Sequence, residues 1–564
     1  MRPMENTTKK ISNIWIAALA TASLATVAAH GQNGWTTSRG DAQRAGWVRS
    51  DGYISVGNIQ RDHFDVQWKR KLDNASRGLN SLTPAVSTGD SGWNVTPADI
   101  AGSSNNVFGF DLDSGGLVWS RHFDAPLGPA ATLACPGGMT AGVTRPTALD
   151  QIVDGSAGPF RGRAGGRALG PPIGGVGAPG EGVPAALMEN PNAGGRGGSG
   201  GRGGLGFSGG RGGSGGRGRG AGGGTAAVTL PQILYAVTSD GMLHTLGQFL
   251  GKDVEKPAPF LPANANATDL IAVDQILYAA TINGCGGAPN GVWAIDLSSA
   301  AKPVTTWKNA ASPVGAPALD SKGTLYVAIG DGPATGGGYS DAIVALDPRT
   351  LQVKDSFSAP NASFTSTPTI FTYKGHEILA AEAKDGRVFL LDTASLGGAD
   401  HKTAKFVSAA TTTQKGYSPS ALATWEDPAQ NRWVLAPEAG AKGNVVAFKV
   451  AGDGGAPSLQ QAWVSRDLVS PSAPIVVNGV AFALSTGEYI PATGTATLAE
   501  KVSKSTPAVL YALDASTGKE LWNSGKSIAS FVHSGGLCAV DGQVYVAAYD
   551  NTVYGFGFAM DRHL

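Results

Sequence analysis

The stretch Val509–Trp522 reads V-L-Y-A-L-D-A-S-T-G-K-E-L-W, and variants of it return along the whole chain. Its side chains alternate, Leu510 and Ala512 on one face and Tyr511 and Leu513 on the other, which specifies a strand. A tight turn follows. Asp514 can accept hydrogen bonds from the backbone just ahead of it, and Gly518 takes positive φ without steric cost. A second strand then ends on Trp522. The phrase is therefore a β-hairpin with an aromatic anchor.

Each hairpin closes a four-part unit: a short strand preceded by small residues and often Pro, a turn, a strand shaped like L-Y-V-A, then the hairpin. Eight units can be read. The first runs from Leu82-Thr83-Pro84 to the hairpin Val107–Trp119, where Asp111, Gly115 and Trp119 keep the offsets of Asp514, Gly518 and Trp522. The second combines 145–149, 233–238 and 242–246. The third runs from Ile271 to Trp307, with a longer turn after Asp296. The fourth runs from Ala316 to Phe357, which stands where Trp is expected. The fifth spans 367–392, the sixth Ser418 to Trp463, and the seventh Ala473 to Trp522. The eighth begins at Gly535 and stops after Phe558 without an outer strand.

That gap has a complement. Asp65–Leu72, carrying Trp68, reads as a strand with no hairpin before it. If it supplies the missing outer strand, the sheets form a ring without an exposed edge. A stacked solenoid would leave both ends needing caps. The expected fold is all-β: an eight-bladed propeller, rather than a seven-bladed one, of four-stranded antiparallel blades closed by the N-terminal strand. Gly34–Gly46 reads as loop.

The chain has 82 glycines and 15% charged residues, against about 25% charged in ordinary domains. That suits tight turns and leaves little for amphipathic helices. Net charge is zero, so no overall field attracts polyanions, and nucleic acid is not an expected partner. Arg2, Lys9 and Lys10 precede the weakly apolar run Ile11–Ala29. Residues 1–31 are expected to be a signal peptide, leaving 32–564 as one periplasmic or secreted, monomeric propeller with no transmembrane helix. Residues 157–224, rich in Gly and Arg, are expected to be a disordered loop inserted in the second blade. The three cysteines, Cys135, Cys285 and Cys538, allow one internal disulfide at most, and spacing alone leaves the pair open.

The phrase A-x-D-x-x-T-G-x-x-x-W, carried by Ala512, Asp514, Thr517, Gly518 and Trp522, resembles the repeat of pyrroloquinoline-quinone (PQQ) β-propellers. The resemblance covers most of the chain outside the Gly-rich segment. It implies that Trp68, Trp119, Trp307, Trp463 and Trp522 pack between neighbouring blades, with Asp111, Gly115, Asp514 and Gly518 shaping the turns. It implies architecture, not a cofactor, because the family holds both quinoprotein dehydrogenases and propellers that bind no quinone, such as the scaffold lipoprotein of outer-membrane barrel assembly.

A quinoprotein alcohol dehydrogenase would hold its quinone between a Trp and a disulfide of adjacent cysteines, and a Ca²⁺ through carboxylate and amide oxygens, with an Asp as base. This chain has no Cys-Cys pair, no C-x-x-C-H haem site and no assignable set of calcium ligands. Its histidines have no metal-ligand spacing. The preferred expectation is a non-catalytic binding or assembly scaffold for a protein or small-molecule ligand, with no assigned cofactor or catalytic residue. The alternative is a PQQ- and calcium-dependent dehydrogenase oxidising an alcohol or sugar. Two connections are the candidate ligand face: Cys135–Thr140, leading to Arg145 and expected to aim Arg145 into the central channel, and the stretch from Asn283 to Asn290. A Cys135–Cys285 bridge is the candidate disulfide.

Overall fold

The computed structural model describes residues 34–87, 97–149, 232–334, 338–359, 362–410, 421–438, 440–491 and 495–559. The expected signal peptide and Gly-rich loop lie outside the described residues. Eight small sheets form the eight blades of a β-propeller. In the seventh, Ile475–Val477, Val480–Ser485, Val509–Asp514 and Glu520–Asn523 pair in sequence order from the inside outward, and Trp47–Val48 adds in parallel inside Ile475–Val477. The hairpin of the repeated phrase forms as its chemistry dictates. Asp514 Oδ1 accepts from the backbone N–H of Ser516 (2.9 Å) and Thr517 (3.1 Å), and Gly518 sits at φ 73°.

The N-terminal strand closes the ring. Phe64–Lys71 pairs antiparallel with Thr552–Phe558, from Phe64 opposite Phe558 to Lys71 opposite Thr552, with a bulge beside Trp68. It is the outermost strand of the eighth blade, outside Leu537–Val540, Gln543–Ala547 and Thr552–Phe558. The anchor residues then join one blade to the next. Trp68 Nε1 donates to the Leu112 carbonyl of blade 1 (2.8 Å). Trp119 donates to the Gln248 carbonyl of blade 2 (2.6 Å), and Trp463 to the Ala515 carbonyl of blade 7 (3.0 Å). In each case the indole lies on a turn glycine: Gly115, Gly251 and Gly518. A methyl group on Gly518 would sit 2.6 Å from Trp463 Cε3, so the turn needs Gly for space as well as for φ. Trp307 packs in the cluster that contains Leu351, the blade 4 residue that takes the left-handed turn position at φ 53°. Trp522 meets Phe64 edge-on at 5.0 Å and Phe556 at 5.7 Å. Phe357 is buried against Phe389 of blade 5 at 5.9 Å.

Blade 2 departs from the expected pattern. Its strands are Ile233–Val237, Met242–Gly247 and Ala258–Pro259, and its innermost position is held by a single bridge, Thr144 to Tyr235. The chain then leaves: Pro146–Thr147 pairs in parallel with Ala272–Val273 of blade 3. Pro146 has no N–H to donate, so it suits an edge and not a ladder. In blade 6 the inner strand is Ala423–Glu426; the expected start at Ser418 lies outside the described residues.

Residues 34–48 lie along the inner strands and so within the channel. The sequence reads as loop here, yet Trp35 and Arg44 are almost completely buried. Trp35 forms a two-way bridge with Ser87 of blade 1. The carbonyl of Thr36 accepts from Arg145 N of blade 2, Ala42 from Leu319 N of blade 4, Gln43 from Ile370 N of blade 5, Ala45 from Thr424 N of blade 6, and Gly46 from Val476 N of blade 7. Blade 3 is reached by Thr37 Oγ1, which donates to the Leu270 carbonyl at 2.6 Å. Consecutive blades from the first to the seventh thus each bond to one short segment. Innermost strands have a free edge facing the axis, and this segment satisfies it.

Two arginines strengthen the arrangement. Arg39 donates to the carbonyls of Leu422 (2.8 Å), Pro474 (2.7 Å) and Ala473 (3.2 Å). Arg44 donates to Pro317 (3.1 Å) and Ser38 (2.6 Å). Burial, and then the charge of Arg44, lower Arg39 to about 9, so it stays cationic at neutral pH. Beside blade 8, a cavity of about 190 Å³ lies between Trp35, Trp47, Arg49 and Ala539–Asp541.

Candidate functional site

The two ends of the channel differ in what the sequence puts there. The turns between first and second strands, such as Lys374–Gly375 and Asn478–Gly479, mark the lower end. There Asn478 Nδ2 donates to the Ile54 carbonyl (3.0 Å) and Asp51 accepts from Gly542 N (2.7 Å), which fixes the chain that leaves the channel. Each second strand runs from that end to the upper rim. His376–Glu382 has seven residues, a rise of about 23 Å. The rim carries the second-to-third-strand loops and the connections between blades, where a rigid scaffold can present variable side chains.

The rim of blades 5 to 7 is acidic. Glu382 ends the second strand of blade 5, Glu438 ends that of blade 6, and Glu488 follows that of blade 7. Glu382 and Glu438 hold the same register position, opposite Val388 and Asn444 of their third strands. Their surroundings differ from that of Glu488. Glu488 accepts from His533 Nδ1 at 2.7 Å and pairs with Lys501. Burial would raise this carboxyl, but hydrogen bonds and charge from His533 and Lys501 outweigh it and hold it at about 2. Glu382 is 1% exposed, and neither carboxylate oxygen has a hydrogen-bond partner. Burial first, then the charges of Glu438 and Asp385, push it well above the ordinary carboxyl range.

Among the residues expected at the ligand face, Cys135 and Cys285 form a disulfide that joins the connection after blade 1 to the rim loop of blade 3. Asn283 Nδ2 donates to the Ala134 carbonyl (3.1 Å). Asn290 Oδ1 accepts from Gly284 N (3.0 Å), and its amide donates to the Ala310 carbonyl (3.1 Å). These four positions build one braced rim segment. Arg145 lies elsewhere. It is 1% exposed between blades 1 and 2 and is ion-paired with Asp99, and its Nε and Nη1 lack partners. Burial raises Asp99 to about 6 despite the opposing charge and hydrogen bond of Arg145. Sequence reading missed Glu382 and Glu438. A signal was present: both replace the small or apolar residue that ends the L-Y-V-A-type strand in other units, such as Thr281, Ile329 and Ser485.

A quinone with its calcium needs several oxygen donors converging on the ion. Among the described residues, no group of three or more His, Cys, Asp or Glu side chains could hold a metal ion. The disulfide joins residues 150 apart in sequence, not adjacent cysteines. Among the described residues there is neither such a carboxylate-rich cation group nor a disulfide of adjacent cysteines.

No family model matches the chain, and no curated protein matches it. Solved structures do. The quinohemoprotein alcohol dehydrogenase from Comamonas testosteroni is 14% identical with a TM-score of 0.54, covering 95% of this chain and 83% of that one. A europium-containing methanol dehydrogenase is 11% identical with a TM-score of 0.54, covering 94% of this chain and 99% of that one. BamB from Moraxella catarrhalis is 14% identical with a TM-score of 0.46, covering 89% of this chain and all of that one. At these identities the likeness is one of fold. Among the described residues, no helix is long and apolar enough to cross a membrane.

Proposed function

We propose that this chain is a non-catalytic binding or assembly propeller acting outside the cytoplasm, and that its ligand meets the upper end of the channel. One observation carries the reading: the chain's own residues 34–48 take up the inner strand edges of seven consecutive blades. The upper rim is then the end left to present side chains outward. What it presents is a braced disulfide-linked loop, which suits recognition, and an arc of buried carboxylates lines the same end. The disulfide fits an exported setting, where such bonds persist. The fold alone is neutral between this reading and a dehydrogenase, since one fold carries many functions.

The test is reconstitution of the full-length chain. The protein is incubated with PQQ and calcium chloride, desalted, scanned for quinone absorbance, and supplied with ethanol or glucose and a redox dye. The reading expects no retained quinone and no dye reduction. Retained quinone with substrate-dependent dye reduction would replace it with the dehydrogenase.

A further inference from the structure

Buried polar atoms in folded proteins nearly always have partners, so a cluster of orphans of one kind points to a missing group of the opposite kind. Such a cluster occurs where blades 5, 6 and 7 meet at the upper rim. The backbone of Glu382 is fully engaged: its N–H donates to Ser366 Oγ at 2.7 Å and its carbonyl accepts from Thr365 N at 3.0 Å. Its carboxyl has no partner. Asn444, paired with Glu438 across the blade 6 hairpin, has a buried Oδ1 without a partner. Ser470, 1% exposed, has a partnerless Oγ, and its N–H bonds to the Gly440 carbonyl (2.9 Å), two residues beyond Glu438. Each of these orphans is an oxygen that can accept.

The charged neighbours are committed elsewhere. Asp385 is paired with Arg387 at 2.7 Å, and Lys384 reaches Asp331 at 3.7 Å. Among the described residues, no cation bonds to Glu382 or Glu438. A hard metal ion would want about six to eight oxygens, and among the described residues no group of three or more His, Cys, Asp or Glu side chains could hold one. An alkylammonium has three N–H donors and one positive charge, which matches two carboxylates and a neutral oxygen.

We propose that the upper channel end between blades 5 and 6 binds a protonated primary amine, with Glu382 and Glu438 as its carboxylate acceptors. The proposal rests on the reading of the chain as a binding propeller and names the chemistry that propeller recognises. The amine comes from a lysine side chain of a partner or from a free small amine. Its capture has a proton balance. Without a ligand, burial and like charge favour the protonated form of Glu382. An arriving ammonium favours the carboxylate, so R–NH₃⁺ and Glu382–COOH become an ion pair and one proton leaves to solvent.

The experiment is calorimetric titration of the full-length chain at pH 6.5 in two buffers of different ionisation enthalpy. The probes are n-butylamine, the peptide acetyl-Gly-Lys-Gly-amide, and calcium chloride. The expected result is saturable binding of an amine with net proton release. Glu382→Gln should weaken binding at least tenfold and abolish the release. Glu438→Gln should weaken binding while the release persists, and it serves as the second variant should Glu382→Gln misfold. Tighter binding of the peptide assigns the amine to a partner's lysine; tighter binding of butylamine assigns it to a free amine. No saturable amine binding, unchanged affinity in both variants, or saturation by calcium but not by amines would overturn the proposal. That failure is separate from failure of the binding reading, which only quinone retention with dye reduction would signal.

Discussion

The Cys135–Cys285 bridge makes a quantitative prediction. Its cysteines are 150 residues apart in sequence, and the covalent loop contains all of blade 2. In the chain-entropy account, cross-linking a loop of that length removes about 17 cal/mol/K from the unfolded ensemble, or about 5 kcal/mol at 25 °C. The native state should change little on losing the bond. The Ala134 carbonyl still accepts from Asn266 Nδ2 (2.9 Å) and Asn283 Nδ2 (3.1 Å), so the connection stays docked. The perturbation is Cys135→Ala with Cys285→Ala, compared with the oxidised protein by urea unfolding, with and without dithiothreitol. Because measured bridges often give less than the entropic figure, the expected loss is about 2–5 kcal/mol. Dithiothreitol should produce it in the parent and not in the double variant. A loss under about 1 kcal/mol, or equal sensitivity of both proteins to reductant, would refute the reasoning.

Other consequences follow from the same contacts. Trp68→Ala removes the ring that seats on Gly115 and the bond to the Leu112 carbonyl; because Trp68 is partly exposed, the cost should be near the low end for such truncations, about 3 kcal/mol. Trp68→Phe should cost less, keeping the ring but losing a bond worth about 1 kcal/mol, and equal losses for the two variants would reject the docking role. Glu488 is held at about 2, below its unfolded value of about 4.5, so its contribution is complete above pH 4.5 and is lost as pH falls through 2. Acid titration of Glu488→Gln should therefore show a flatter stability profile between pH 5 and 2 than the parent, by about 3 kcal/mol, and parallel profiles would show that His533 and Lys501 do not bind the carboxylate. Glu382 carries the opposite sign: its raised value costs stability as pH rises above about 4.5, so Glu382→Gln should be relatively more stable than the parent at pH 8 than at pH 4, measured by thermal melts.

Much of the architecture was legible because its signals are local. Asp514, Gly518 and Trp522 specify turn, backbone sign and anchor within one hairpin, and the missing outer strand of the eighth blade could be matched to the segment around Trp68 by counting. Blade 2 was less legible because a single prolyl residue, Pro146, redirects the chain toward blade 3, a tertiary choice that strand pattern does not encode. The channel segment is irregular, as its sequence reads, but its burial along the inner strands was not legible for a related reason. Gly34–Gly46 is polar and glycine-containing, and nothing in its periodicity says that six of its carbonyls meet six different blades. The hint was the pair Trp35 and Trp47 bracketing half-buried Arg39 and buried Arg44. For the candidate site, the bridge positions and the asparagines stood out as unusual loops, whereas Glu382 and Glu438 lie inside strands and become conspicuous only when units are aligned against Thr281, Ile329 and Ser485.

The account depends on residues 34–48 lying in the channel as a shared partner for the inner strands. Amide hydrogen exchange on the intact protein tests that directly. The N–H groups of Arg145, Leu319, Ile370, Thr424 and Val476 donate to this segment, and those of Trp35, Arg44 and Gly46 are bonded within the channel. They should exchange together, at rates as slow as the central strands of the blades. Exchange of these eight amides within seconds, while the blade interiors stay protected, would show the segment to be outside the channel and would remove the reason for assigning function to the upper rim.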